Sequence, residues 1–327
     1  MERSEERLDQ LRAEASSKGI AAGHGVNVAG GPIPSKFGYY GQSVVRPPVW
    51  TWEIPIYFFV GGAGGMSAII AAAAAAFHHL DLARSAVFLA VLAAILSPVL
   101  LILDLGRPQR FLNMLRVFKP QSPMSVGVWI LVLFGTFSVP AFIALEMHSR
   151  GFTDGSFDSA VRIIGGMLLI GSALTGVLLA TYTGVLIGAT AIPAWFSHHV
   201  LLPIHFGTAG LGSAAALLEL LGHRIAPLNA IGFVAAGAET VVALSLLINR
   251  YGDTDCALRT ARSGLFLQSA ELLTGPLPLV LRAFGLIPLA AISFLLGALV
   301  SRFGWIWAGK VSGADPAAVF ASQENKS

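Results

Sequence analysis

From residue 54 almost to the C-terminus the chain repeats one pattern: about twenty apolar positions, rich in leucine, alanine and valine, then a short polar break. Polar and apolar positions do not alternate within the runs, so they read as helices rather than as barrel strands. Each run is long enough to cross a hydrocarbon core of about 30 Å as a helix. The predicted spans are residues 52–77, 83–103, 125–146, 161–187, 200–221, 228–249, 264–281 and 283–307. The seventh carries Gln268, Glu271 and the breakers Gly275, Pro276 and Pro278. It reads as a broken or re-entrant helix, tolerated where protein or a cavity shields it; without it the count is seven.

Residues 1–50 follow a different pattern, charged at first and then dominated by Gly, Pro and Ser. They read as an extramembrane arm, either docking a partner or lacking order. No apolar core with a small-residue cleavage site is present there, so the first span is expected to serve as the insertion signal. The expected division is an arm (1–50), a transmembrane helical domain (51–309) and a tail (310–327).

Composition agrees with the pattern. At 55% hydrophobic and 12% charged, the chain lies far from the roughly 25% charged residues of soluble proteins. The single Cys256 excludes a disulfide framework, an internal four-cysteine iron–sulfur site and a cysteine-based zinc site, so any such cluster belongs to a partner. A net charge of +3 without a basic stripe and interleaved aromatics sets nucleic acid aside. The Gly61–Gly65 run follows no strand and ends in no lysine, so it is not a phosphate loop; close approach of helices explains it.

Eight crossings put both termini on one face, here called the N-face. Its short loops hold Arg107, Arg110, Arg116, Lys119, Arg250, Arg259 and Arg262, with Arg302 and Lys310 at the last helix end. Opposite stand Arg84, Arg150, Arg162, Arg224 and Arg282. The positive-inside rule makes the N-face cytoplasmic, although a basic loop that docks a partner would give the same excess.

Polar residues gather at the N-face once this topology is drawn. Glu53 and Tyr57 open the first span, Asp104 and Arg107 close the second, Tyr182 lies in the last turns of the fourth, and His198, His199 and His205 introduce the fifth. Acids, an arginine, phenols and imidazoles entering at one depth suit a lipid-soluble ligand with a polar head. A quinone fits: its carbonyls need donors such as Tyr or His, its reduction needs protons, and its tail needs an apolar groove. The plainer account is that such residues mark the headgroup zone. Asp104-Leu-Gly-Arg107-Pro108 sets an acid and a base three apart at a helix end, either as a structural pair or facing a ligand.

At these residues the sequence resembles the NrfD/polysulfide reductase membrane-subunit family. The likeness is carried by Trp50-Thr-Trp-Glu-Ile-Pro-Ile-Tyr57 running into Phe58–Gly65, by Asp104–Phe111, by Lys119-Pro-Gln-Ser-Pro-Met-Ser125 and by Tyr182-Thr-Gly184, with Gly297–Gly304 and Gly309 closing the last helix. It implies an all-α, polytopic subunit of about eight helices in two four-helix bundles. Such a subunit, in a prokaryotic cell (inner) membrane, exchanges electrons between a quinone (menaquinone or ubiquinone) and a ferredoxin-like iron–sulfur subunit. A molybdenum-type or other redox catalytic subunit usually completes the complex, and the membrane subunit itself carries no haem or iron–sulfur cluster. The resemblance implies Tyr57 and Tyr182 at the quinone, with Glu53 nearby and Asp104 at the family's second-helix acid position. Where some relatives show histidine or asparagine early in the first helix, this chain has Glu53, Ile54 and Tyr57. The expected roles are Tyr57, Tyr182 and His205 at the quinone, and Asp104, Glu53 and Arg107 in its proton and charge chemistry.

Glu239 and Glu271 fall near the middles of the sixth and seventh spans, where a charge is costly, so each must be protonated, paired or beside water. They are expected to continue a proton route, or else to act as hydrogen-bonding glue between helices. Two competing classes remain: a transporter or channel, which would favour internal repeats and interrupted helices, and a b-type cytochrome, for which His205 is a candidate ligand but lacks an obvious facing histidine.

Overall fold

The computed structural model describes residues 45, 48–105, 109, 111–152, 154–248 and 261–324. Among them are 8 helices long and apolar enough to cross a membrane. In chain order the helices are α1 (Glu53–Ala76), α2 (Leu80–Asp104), α3 (Phe111–Arg116), α4 (Pro123–Ser149), α5 (Gly155–Gly188) and α6 (Pro193–Ser197), followed by α7 (Leu201–Leu220), α8 (Ala226–Ile248), α9 (Ala261–Thr274), α10 (Pro276–Ala283), α11 (Ile287–Ala314) and α12 (Pro316–Glu324). No strand occurs among the described residues, and the fold is all-α and polytopic.

Helix ends follow local chemistry. The Ser122 side chain accepts the Ser125 N–H at 3.4 Å and Pro123 occupies the first turn, fixing the start of α4. At the end of α1, His79 N–H reaches Ala74 O at 2.8 Å and His78 N–H reaches Ala75 O at 3.1 Å. This double closure puts His78 at φ 60°, in the left-handed position where glycine is usual.

The packing falls into two groups of four crossings. One is the ring α1, α2, α4 and α5; the other is α7, α8, the pair α9–α10, and α11. They meet where α1 and α5 pack on α7 and where α1 packs on α11. The glycine run in α1 is the hub. A Cβ on Gly62 would touch Gly210 of α7, one on Gly64 would enter Ala93 of α2, and one on Gly65 would enter the backbone at Gly176 of α5. Such crossings suit small residues in a bilayer, where packing rather than water drives association.

The seventh span is broken, as its Gly and Pro content predicts: α9 ends at Thr274, Gly275 stands at φ −102° and ψ −97°, and α10 restarts at Pro276. Ser293 of α11 donates to Leu273 O at 2.9 Å, satisfying a carbonyl at the break. The last helix differs from the predicted span, starting at Ile287 and running on to Ala314. Its extension is tied down by Lys310, whose Nζ donates to Trp50 O at 2.6 Å. Arg302, counted from sequence with the N-face charges, therefore lies well inside α11 and is only 1% exposed.

Candidate functional site

At the N-face end of the first group, Trp50, Tyr57, Asp104, Phe111, Met124 and Tyr182 line one narrow pocket, with Ile54, Leu101 and Met114 filling between them. Four sequence-distant segments build it: the approach to α1 and its first turns, the end of α2, the short α3 with the start of α4, and the last turns of α5. Tyr57 is 1% exposed and Tyr182 8%. Their hydroxyls adjoin, yet Tyr57 Oη has no hydrogen bond of sound geometry. Gly127 on α4 leaves the space that the Tyr182 ring occupies.

Asp104 stands at the mouth of this pocket, half-buried. Thr51 Oγ1 contacts Glu53 Oε2 closely and lies 3.4 Å from Asp104 Oδ1, so one hydroxyl spans the two carboxylates. A hydroxyl has one proton to donate, so it cannot serve both acids equally. Among the described residues, Lys310 is a cation acting on Asp104. Trp50, whose carbonyl Lys310 holds, stacks on Trp195 with centroids 5.7 Å apart.

His205 does not line this pocket. It sits in the second group of helices, 4% exposed, with Nε2 2.7 Å from Ser301 Oγ and Nδ1 2.7 Å from Glu239 Oε2. The Nδ1 contact has ion-pair distance without a hydrogen bond's direction, since that nitrogen counts no directed partner. Thr208 donates to the other Glu239 oxygen. Arg302 Nη2 donates to Phe206 O at 3.1 Å and its guanidinium lies 3.8 Å from the Phe206 ring centre, while Nε and Nη1 have no partner.

Between pocket and cluster the contacts are aromatic. The Tyr57 and Phe58 centroids are 5.6 Å apart, and those of Phe58 and Phe206 5.9 Å. Glu271, on α9, lies one turn before Gly275, where a Cβ would stand 2.8 Å from Thr240 Oγ1, beside Glu239 in sequence. The two glutamates thus occupy adjoining helices at similar depth.

The family model for polysulphide reductase NrfD matches residues 42–311. The chain belongs to the NrfD family. Its members are membrane subunits of redox complexes, which makes this protein a membrane redox subunit that works with other redox subunits. No curated protein matches it. Of the residues singled out from sequence, the NrfD fold brings Tyr57, Tyr182 and Asp104 to one pocket with Glu53 beside it, and joins His205 to Glu239 elsewhere. Arg107 lies outside the described residues.

The sequence placed Trp50, Thr51, Ser301 and Arg302 in the family-like segments but gave none of them a role at a site. Trp50 and Thr51 precede the first apolar run and carry no periodic signal. Arg302 was hidden because the hydropathy of the last span fades before its helix ends, making an interior arginine look terminal.

Proposed function

We propose that this NrfD protein exchanges electrons between the membrane quinone pool and an iron–sulfur partner subunit. Tyr57 and Tyr182 would hold the quinone head by its carbonyls, and Asp104, with Glu53 behind it, would pass protons between the pocket and the N-face. A quinone supplies two acceptor oxygens and takes up two electrons and two protons on reduction. The residues fit such a head. Polar atoms are few and converge on one end, and the remaining lining of Ile54, Leu101, Phe111 and Met124 is apolar; at about 50 Å³ the pocket must widen to admit a quinone ring.

The Tyr57 hydroxyl carries the reading. A buried phenol that adjoins the Tyr182 hydroxyl without a hydrogen bond of sound geometry costs up to about 1–3 kcal/mol, and a carbonyl ligand would remove that cost. Affinity purification of the tagged chain in mild detergent, with mass spectrometry and quinone extraction, tests the assignment. Expected are a co-purifying iron–sulfur protein, retained menaquinone or ubiquinone, and in Tyr57→Phe about a tenfold loss of quinol turnover, the weight of one hydrogen bond of about 1.4 kcal/mol. Unchanged turnover in both Tyr57→Phe and Tyr182→Phe would refute the site. A haem-free chain that carries neither quinone nor iron–sulfur partner and moves a solute would favour a transporter.

The His205–Glu239 cluster supports a second element of the same reading, proton movement coupled to turnover, with Glu239 and Glu271 continuing the route into the membrane. Glu239→Gln in reconstituted vesicles is expected to uncouple proton translocation while quinol oxidation or quinone reduction continues. Equal proton-to-electron ratios in wild type and Glu239→Gln would end the relay.

A further inference from the structure

We propose that the groove between α1, α4 and α5, on the face opposite the N-face, is a binding site for one anionic phospholipid of the surrounding membrane. The groove has a volume of about 680 Å³, within the roughly 300–1,000 Å³ of small-molecule sites. Its polar lining is His78, His148, Ser159 and Arg162; the rest is small or aliphatic, and no carboxylate lines it. Ile163 and Ile170, both lining residues, are 65% and 59% exposed, so the groove opens sideways to the hydrocarbon.

Charge selects the occupant. Of the arginines on this face, Arg84 and Arg150 are held by Glu146 and Arg282 by Glu219. Arg162 and Arg224 are exposed and have no carboxylate partner among the described residues, and of the two only Arg162 lines the groove. His148 is engaged by Asp158 at 2.7 Å, which leaves Arg162 and His78 to meet an incoming charge. A zwitterionic head would bring its own cation to this mouth, whereas an anionic phosphodiester leaves none to repel.

Depth selects a lipid over a soluble anion. About 30 Å of helix separates Arg162 from Tyr182 on α5, which is the thickness of the hydrocarbon core. With Tyr182 at the N-face boundary, Arg162 stands at the opposite headgroup level. The apolar floor at Ala72, Gly165, Gly166 and Leu169 then runs inward from it, in the direction an acyl chain takes beneath its phosphate. His78 is consistent with a ligand here, because it holds a left-handed backbone position that glycine would fill with less strain.

Native mass spectrometry of the purified protein, titrated with phosphatidylglycerol and with phosphatidylcholine, tests the proposal. Wild type is expected to retain one phosphatidylglycerol in preference to phosphatidylcholine. Arg162→Gln should weaken that preference about fivefold, the contribution of one basic residue near an anionic surface. Gly166→Leu should abolish retention by filling the groove; a Cβ there meets nothing within 4 Å, so the backbone has room for it. Equal affinity for the two lipids in wild type, or unchanged selectivity in both variants, would overturn the site. So would glycerol phosphate binding as tightly as the whole lipid, since that would point to a soluble anion.

Discussion

The space above Gly127 belongs to the Tyr182 ring, so a single methyl group tests how closely the phenol must be placed. Gly127→Ala is expected to displace Tyr182 and lower quinol turnover by about tenfold to a hundredfold, the penalty of an ångström-scale misplacement. Steady-state kinetics at several quinol concentrations, beside an unchanged gel-filtration profile, would show it; normal kinetics would mean that the ring's position is not critical. The residues of this site were legible in sequence to the extent that they opened or closed apolar runs. Tyr57, Asp104 and Tyr182 share a boundary, and the boundary is visible in hydropathy. What a run's edge cannot reveal is which boundary residues share a pocket. His205, at the same apparent depth, turns instead toward Glu239 and Ser301 across the other group of helices. That choice is made by helix rotation and packing, on which the nearly uniform leucine and alanine of these spans carries no signal.

At the scale of elements, two local departures from ideal helix geometry lend themselves to measurement. His78→Gly removes a left-handed non-glycine residue from the α1 cap, and is expected to stabilise the protein by up to about 1 kcal/mol. A rise in melting temperature in detergent checks this; a fall would mean that the imidazole contributes more than the backbone strain costs. Ser293→Ala removes the donor to Leu273 O and should cost about 1 kcal/mol or more, because no water replaces that bond in hydrocarbon. The break at Gly275 was legible because glycine and proline act through the backbone, whatever surrounds them. The true end of α11 was not, since Lys310 continues the helix by reaching Trp50, a contact between distant positions that no local pattern encodes.

Across the whole molecule, stability rests on few but expensive buried charges. Arg282, from the end of α10, donates to both Glu219 oxygens at 2.6 and 2.7 Å and to Asn229 Oδ1 at 2.7 Å, joining α7, α8 and α10. Glu219→Gln would leave a buried guanidinium without its counter-charge and is expected to cost about 3–5 kcal/mol. Thermal unfolding in detergent would register this as a large drop, and the double variant Glu219→Leu, Arg282→Leu should recover much of it. The all-α, eight-crossing plan was legible from apolar run length, because the bilayer dictates that length. The glycine hub of α1 was legible only as a tendency to close approach; that successive glycines face α7, α2 and α5 comes from the turn of the helix within the assembled bundle.

Lys310 and Trp50 are 260 positions apart, and a ribosome delivers them in that order. By the time α5 has emerged, both phenols, Asp104 and Thr51 have all been made. The wall that Trp50 contributes nonetheless stays unfastened until the end of α11 arrives. Completion of the pocket is thereby linked to arrival of the last crossing. A chain halted before α11 can insert its early helices and still lack the latch, so such a fragment does not present a finished pocket to the membrane.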